Sequence, residues 1–156
     1  MGRGVRVFGS LACGAGIATL LTSVPAGAAE GSTIAVTPDE GLRDGQVVRV
    51  DGTGWPDPTA DNQYGVVVQC ADSGQGITAG CGGGRPLSES DVSASGRFSV
   101  EVTVRRSFRN FQDDATLTCG AAPDDCEIVA MVWTDFGDRI IVDGYDTEPI
   151  SFVAPK

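Results

Sequence analysis

The sequence predicts an all-β fold, an antiparallel immunoglobulin-like β-sandwich of short strands. Three observations predict it. Apolar and polar residues alternate with a period of two along successive runs, most cleanly from Arg97 to Arg105. Gly, Pro, Asp and Asn punctuate these runs about every 8–12 residues. No long stretch shows the spacing of apolar side chains that would give a helix one buried face.

The elements follow in order. Thr33 to Thr37 is a short strand that Pro38 stops, and Asp39-Glu40-Gly41 and Asp44-Gly45 are turn signals. Gln46 to Asp51 is a second strand with Val48 and Val50 on one face. The segment from Gly52 to Pro58 reads as a loop, because Pro56 and Pro58 cannot donate to a ladder. Gln63 to Ala71 is a third strand, with Tyr64, Val66, Val68 and Cys70 on one face. Asp72 to Arg85 reads as a glycine-rich connection between two cysteines. Its Gly82-Gly83-Gly84 run lacks the following Lys-Ser/Thr and helix of a phosphate cradle.

Arg97 to Arg105 places Phe98, Val100, Val102 and Val104 on one face and Ser99, Glu101, Thr103 and Arg105 on the other. That is a strand with one wet face. Phe108 and Phe111 form a short aromatic segment, and Ala115 to Cys119, Cys126 to Thr134, Arg139 to Val142 and Pro149 to Val153 read as further strands. Asp135-Phe136-Gly137 is a turn. Cys126 to Thr134 departs from simple alternation. Cys126, Ile128, Ala130 and Val132 make one face, and Glu127, Val129, Met131 and Trp133 make another that is also mostly apolar. If the first face is core, the second needs a cover, which is a loop, a partner or a ligand.

Residues 1–28 have the make-up of a cleaved signal peptide. Arg3 and Arg6 form a positive start, Val7 to Val24 is apolar and uncharged, and Ala26-Gly27-Ala28 supplies small residues after Pro25. Gly, Ser and Thr dilute the run and no basic stop-transfer cluster follows it, unlike a membrane anchor. The expectation is a secreted, extracellular protein whose residues 29–156 form a single domain, with Cys13 lost with the leader. The leader takes two basic residues and no acidic one, which leaves nine basic against 21 acidic residues. Such a field disfavours direct contact with nucleic acid or with anionic membrane and favours cationic partners. Arg105, Arg106 and Arg109 form only a local basic spot, read as a solvated strand end. A monomer is expected.

Composition also limits chemistry. Histidine is absent and Lys156 is the only lysine, so neither a Ser-His-Asp nor a Cys-His site nor a Schiff base on an internal lysine can be built. No catalytic residue, metal ligand set or cofactor is assigned. Asp113-Asp114 and Asp124-Asp125 are acidic turns, and Asp143, Asp146 and Glu148 lack the spacing of a calcium loop. Cys70, Cys81, Cys119 and Cys126 allow three pairings, of which the local one closes loops of 11 and 7 positions.

These residues together resemble a known family. Val36-Thr37-Pro38, Gly41-Leu42, Asp44-Gly45, Val47-Val48, Val50, Gly52 and Gly54 look like its opening, and Gln69-Cys70-Ala71 looks like its first cysteine strand. Thr103-Val104-Arg105-Arg106-Ser107-Phe108 is the strongest match, and Ile150-Ser151-Phe152 fits its ending. Short motifs are individually weak, but so many in order with four cysteines identify the chain as similar to the neocarzinostatin/macromomycin family of enediyne chromoprotein apoproteins. The resemblance implies seven strands in two sheets, a β-ribbon flanking a cleft, and the disulfides Cys70–Cys81 and Cys119–Cys126. It implies a secreted carrier, not an enzyme, that binds an antibiotic enediyne chromophore non-covalently and shields it from thiols and water. DNA contact would then belong to the released chromophore.

Carried over by position, the resemblance makes Cys70, Cys81, Phe111, Glu127, Val129 and Met131 the candidate ligand-binding residues. Where the family's namesake has aromatic rings, this chain has Asp72 and Asp113, which cannot stack on an extended ring. Where the namesake has small or polar residues after its fourth cysteine, Glu127, Val129 and Met131 stand here. The expected guest is therefore a small apolar natural product, an enediyne-type chromophore or a relative, other than the namesake's own. The alternative is a ligand-free adhesion or cell-envelope module with an exposed apolar patch around Trp55.

Overall fold

The computed structural model describes residues 31–56, 62–71, 80–88, 90–120 and 125–154. Residues 1–28, expected to be a leader, and Asp72 and Asp124 lie outside the described residues. Nine strands run in chain order: β1 Thr33–Thr37, β2 Val47–Thr53, β3 Gln63–Ala71, β4 Cys81–Leu87, β5 Phe98–Thr103, β6 Ser107–Arg109, β7 Thr116–Thr118, β8 Cys126–Asp135 and β9 Ile140–Ile150. They build a three-stranded sheet ordered β1-β2-β5, a four-stranded sheet ordered β4-β3-β8-β9, and a separate ribbon of β6 and β7. Every pairing between these strands is antiparallel. Seven strands thus form the immunoglobulin-like sandwich and two form the ribbon. No helix among the described residues is long and apolar enough to cross a membrane.

Alternation places the core. Ile34, Val36, Val48, Val50, Phe98, Val100 and Val102 from the first sheet meet Val67, Ile128, Ala130, Val132 and Ile150 from the second in one buried cluster. The polar partners of these positions, such as Arg49, Ser99 and Glu101, face water. Leu42, fully buried, bridges to Phe152 and closes one end. Its N–H donates to Ser151 O at 3.0 Å and its carbonyl accepts from Val153 N at 2.9 Å.

Three strand limits differ from expectation. β2 continues through Gly52 and Thr53, because this central strand is paired on both sides, Gly52 with Ile34 and with Phe98. Two ladders outweigh the low strand preference of glycine. The glycine run after Cys81 is strand β4, not a connection. Its register against β3 shifts between Val67 and Gln69, and Gly83 and Gly84 take φ of 64° and 115° in that bulge. Only glycine adopts such values without strain. Pro86 is tolerated because β4 is an edge strand. Finally, the segments 139–142 and 149–153 are not separate strands. β9 runs unbroken from Ile140 to Ile150, with Asp143 at a bulge opposite Val132 and Trp133.

Trp55 is buried, not the centre of an exposed patch. It is 3% exposed, packs edge-on against Phe98 at 5.5 Å between ring centroids, and donates from Nε1 to Thr33 O. The bridges Cys70–Cys81 and Cys119–Cys126 are formed. The basic spot divides. Arg106 lies over the Phe152 ring at 5.3 Å, and Arg109 pairs with Asp114 at 2.9 Å.

Candidate functional site

The outer face of the four-stranded sheet carries the site. Register aligns three apolar pairs across β3 and β8, which are Tyr64 with Trp133, Val66 with Met131, and Val68 with Val129. Across β8 and β9, Met131 faces Tyr145 and Trp133 faces Val142. The bulge near Asp143 shifts the alternation of β9 by one residue, so Val142 and Ile140 share the face of Tyr145. A second small cluster of Val68, Cys70, Cys81 and Val129, with Val66 against it, forms the floor.

The ribbon stands over one side of this floor. It is held at the tip by the Phe111 N–H, which donates to Cys81 O at 2.9 Å, and at its side by the close passage of Arg109 past Gly82. Asn110, 5% exposed, organises the tip. It donates from Nδ2 to Asp113 Oδ1 at 2.8 Å, and Asp113 also accepts from Ala115 N. Asp113 is therefore an exposed loop cap outside the cleft lining. The opposite side is the β8–β9 hairpin, where Trp133 stacks on Tyr64 at 5.8 Å.

Between ribbon and hairpin lies a cavity of about 420 Å³. It is lined by Val66, Val68, Cys81, Phe111, Gln112, Val129, Met131, Trp133, Ile140 and Val142. Gln112 brings a side-chain amide and Trp133 an indole N–H to this lining, and none of its residues is charged. Such a wall suits the apolar body of a small molecule. Phe111, Ile140 and Val142 are exposed at the rim, and Val129 is closed at the floor.

Of the sequence-assigned residues, Cys81, Phe111, Val129 and Met131 come together in this lining. Cys70 lies behind, bonded to Cys81, and Glu127 sits half-buried one step beyond Val129, paired in register with Cys70. The Val66 and Val68 positions were legible from the shared face of the third strand, and Trp133 from the two-faced strand. Ile140 and Val142 carried no readable signal, because only the bulge turns them toward the cleft. The carboxylates Asp143 and Asp146 are engaged in structure. Asp143 accepts from Gln63 and Thr134, and Asp146 accepts from Ile34 N at 2.8 Å.

Two predictions concern this geometry. A Cβ on Gly82 would lie 1.8 Å from Arg109 O. Gly82→Ala should therefore push the ribbon off the sheet, costing about 1–3 kcal/mol and speeding amide exchange at Phe111. Thermal unfolding and hydrogen exchange check it, and unchanged exchange at Phe111 would refute it.

The Tyr145 phenol is held above its ordinary value of 10.0, first by burial and then by the negative charges of Glu127 and Asp146. Its contribution to stability is present below pH 10.0 and is lost as pH rises through the higher folded value. Absorbance titration should show a late phenolate step that Tyr145→Phe removes and Glu127→Gln moves to lower pH. A Tyr145 step at or below that of a free phenol would contradict this reading.

Comparison with known proteins agrees with this architecture. The sequence model of the neocarzinostatin family matches residues 34–144. The structure of macromomycin superposes with a TM-score of 0.53 at 24% identity, covering 78% of this chain and 99% of that one. The solution conformation of apokedarcidin gives 0.49 at 28% identity, covering 78% and 98%. The macromomycin likeness supports the same fold.

Proposed function

The chain belongs to the neocarzinostatin family, and from that premise we propose that it is a secreted carrier and protector of a small apolar natural product. The guest is an enediyne-type antibiotic chromophore or a relative, held non-covalently between the ribbon and the four-stranded sheet. The observation that carries this reading is the apolar cavity of about 420 Å³ on a sheet face that would otherwise stand uncovered. Its size falls within the range of about 300–1,000 Å³ usual for small-molecule pockets.

The mechanism needs no reacting side chain. Apolar walls remove guest surface from water, each Å² contributing about 25 cal/mol before the costs of association. The floor and ribbon exclude water and dissolved thiols from whatever part of the guest lies deepest. The ring of Trp133, steadied by Tyr64, and the ring of Phe111 offer faces for stacking from opposite sides. Release then requires only that the guest leave by the open side, and any damage to DNA is chemistry of the released guest. Export by the leader at residues 1–28 and action as a monomer complete the proposal.

The test is native mass spectrometry of protein purified from its producing host in the dark and cold, beside the unfolded mass. An excess of about several hundred daltons, lost on organic extraction together with an ultraviolet-absorbing compound, is expected of a guest of the size such a cavity admits. A native mass equal to the disulfide-bonded polypeptide alone, in fresh samples from producing cultures, would overturn the carrier reading.

A further inference from the structure

We infer that the chain carries a second binding site, remote from the cleft, that takes a neutral saccharide through adjacent hydroxyls. The site is a cavity of about 540 Å³ where β2 and β5 meet the residues that lead into β5, from Asp91 to Arg97. It belongs to the three-stranded sheet, whereas the cleft belongs to the four-stranded one. The inference is therefore independent of the carrier reading.

Strand register sets the polar groups. Asp51 and Ser99 are paired across β2 and β5, beside the pair of Gly52 and Phe98. Alternation with a period of two sends Thr53 and Arg97 to the same outer side as Asp51 and Ser99. Thr53, Arg97 and Ser99 are exposed, and Asp51 is half-buried.

The wall is built without a ligand. Ser93 N donates to Arg97 O and Gly96 N donates to Ser93 O, each at 2.8 Å, and Arg97 N donates to Ser93 Oγ at 3.1 Å. Trp55 N donates to Gly96 O at 3.0 Å, which ties the wall to the core. Asp91 accepts from the N–H and the hydroxyl of Ser88 and pairs with Arg85, so its carboxylate serves the wall. Asp51 gives Oδ2 to Arg49 Nε at 2.9 Å and keeps Oδ1 as an acceptor. The Arg97 guanidinium and the Ser99 hydroxyl enter no ion pair or hydrogen bond among the described residues.

This set of groups selects by chemistry. Arg97 offers donors in a planar fork, Asp51 offers an acceptor, and Ser99 offers both. Neighbouring hydroxyls of a sugar ring accept from the first and donate to the second. An anion drawn to Arg97 would stand beside Asp51 and Asp91, in a chain where acidic residues outnumber basic ones by 21 to 11. A cation drawn to Asp51 would meet Arg97. An apolar body would strip water from these groups and return no hydrogen bond. A neutral polyol replaces the lost water at each of them.

The experiment uses the disulfide-bonded, nitrogen-15-labelled protein and follows its amide resonances. The probes are cellohexaose, maltohexaose and xylohexaose, with sodium sulfate as the anionic comparison. At least one saccharide should shift the amides of Asp51, Thr53, Ser93 and Ser99 with a Kd of about 1 mM, and sulfate should shift them less at equal concentration. Arg97→Ala should weaken that binding about tenfold and Ser99→Ala about threefold. Thr103→Ala, on the same face of β5 but outside the cavity, should leave it unchanged. Arg97 and Ser99 are exposed, so melting temperatures should stay near the wild type and separate lost binding from lost fold. Silence of these amides with all three saccharides, a stronger response to sulfate, or binding that survives Arg97→Ala would overturn the inference. Each of those results leaves the carrier reading as it was.

Discussion

Met131→Trp should abolish guest binding while leaving the fold intact. Met131 stands at the middle of the floor, paired with Val66 on one side and Tyr145 on the other, and its side chain is half-buried. An indole there occupies the space between ribbon and hairpin that the guest would take. Binding of hydroxymethylanthracene as an apolar probe, or retention of the native guest through purification, should fall by a factor on the order of 100, as expected when a well-fitted apolar pocket is filled. The position opens to solvent, so the extra volume has room to adjust and stability should change by less than about 1.5 kcal/mol. Denaturant unfolding and binding titration on the same sample decide it. Unchanged affinity with an unchanged fold would mean that the guest does not sit on this floor.

Gln69→Leu should be among the most damaging single substitutions in the sandwich. Gln69 is 2% exposed. It donates from Nε2 to Arg105 O at 2.7 Å and accepts at Oε1 from Arg105 N at 2.8 Å. The same Nε2 lies 3.0 Å from Cys119 Sγ. One amide therefore replaces a ladder for the residue where the chain leaves β5 and starts toward the ribbon. Leucine keeps the volume and orphans both backbone groups of Arg105, at a cost of about 1–3 kcal/mol for each group. The expected loss is about 2–5 kcal/mol, with faster amide exchange at Arg105 and through β6. A Gln69→Leu protein as stable as the wild type would show that water satisfies Arg105 instead. Because the ribbon is one wall of the cleft, the same variant should also weaken probe binding.

Gln69 shows how far the sequence could be read. Gln69-Cys70-Ala71 was recognisable as a motif and Gln69 falls on the inner face of its strand, but nothing local names Arg105 as the partner. The alternation of Phe98, Val100 and Val102, and the Val48 and Val50 pair, placed the core directly, since a strand half exposed to water must sort its side chains by polarity. The two-faced strand from Cys126 was also legible, because its second apolar face required a cover. β4 and β9 were not. Glycine and proline in β4, and Asp143-Gly144 in β9, are turn signals by local preference. Pairing with β3 and with β8 overrides them.

By itself, then, the sequence determined an all-β sandwich, the sorting of its core, the four cysteines Cys70, Cys81, Cys119 and Cys126, the absence of histidine chemistry and the family to which the chain belongs. Those properties are local or compositional, and a period of two or a missing residue type needs no partner to be read. Only the tertiary structure decided that Ile140 and Val142 face the cleft, that Asp113 lies outside its lining, and that Trp55 is buried. Each of these depends on register, on a bulge that reverses alternation, or on which distant segment arrives beside a side chain. Such relations belong to pairs of strands, and no single stretch of sequence contains them.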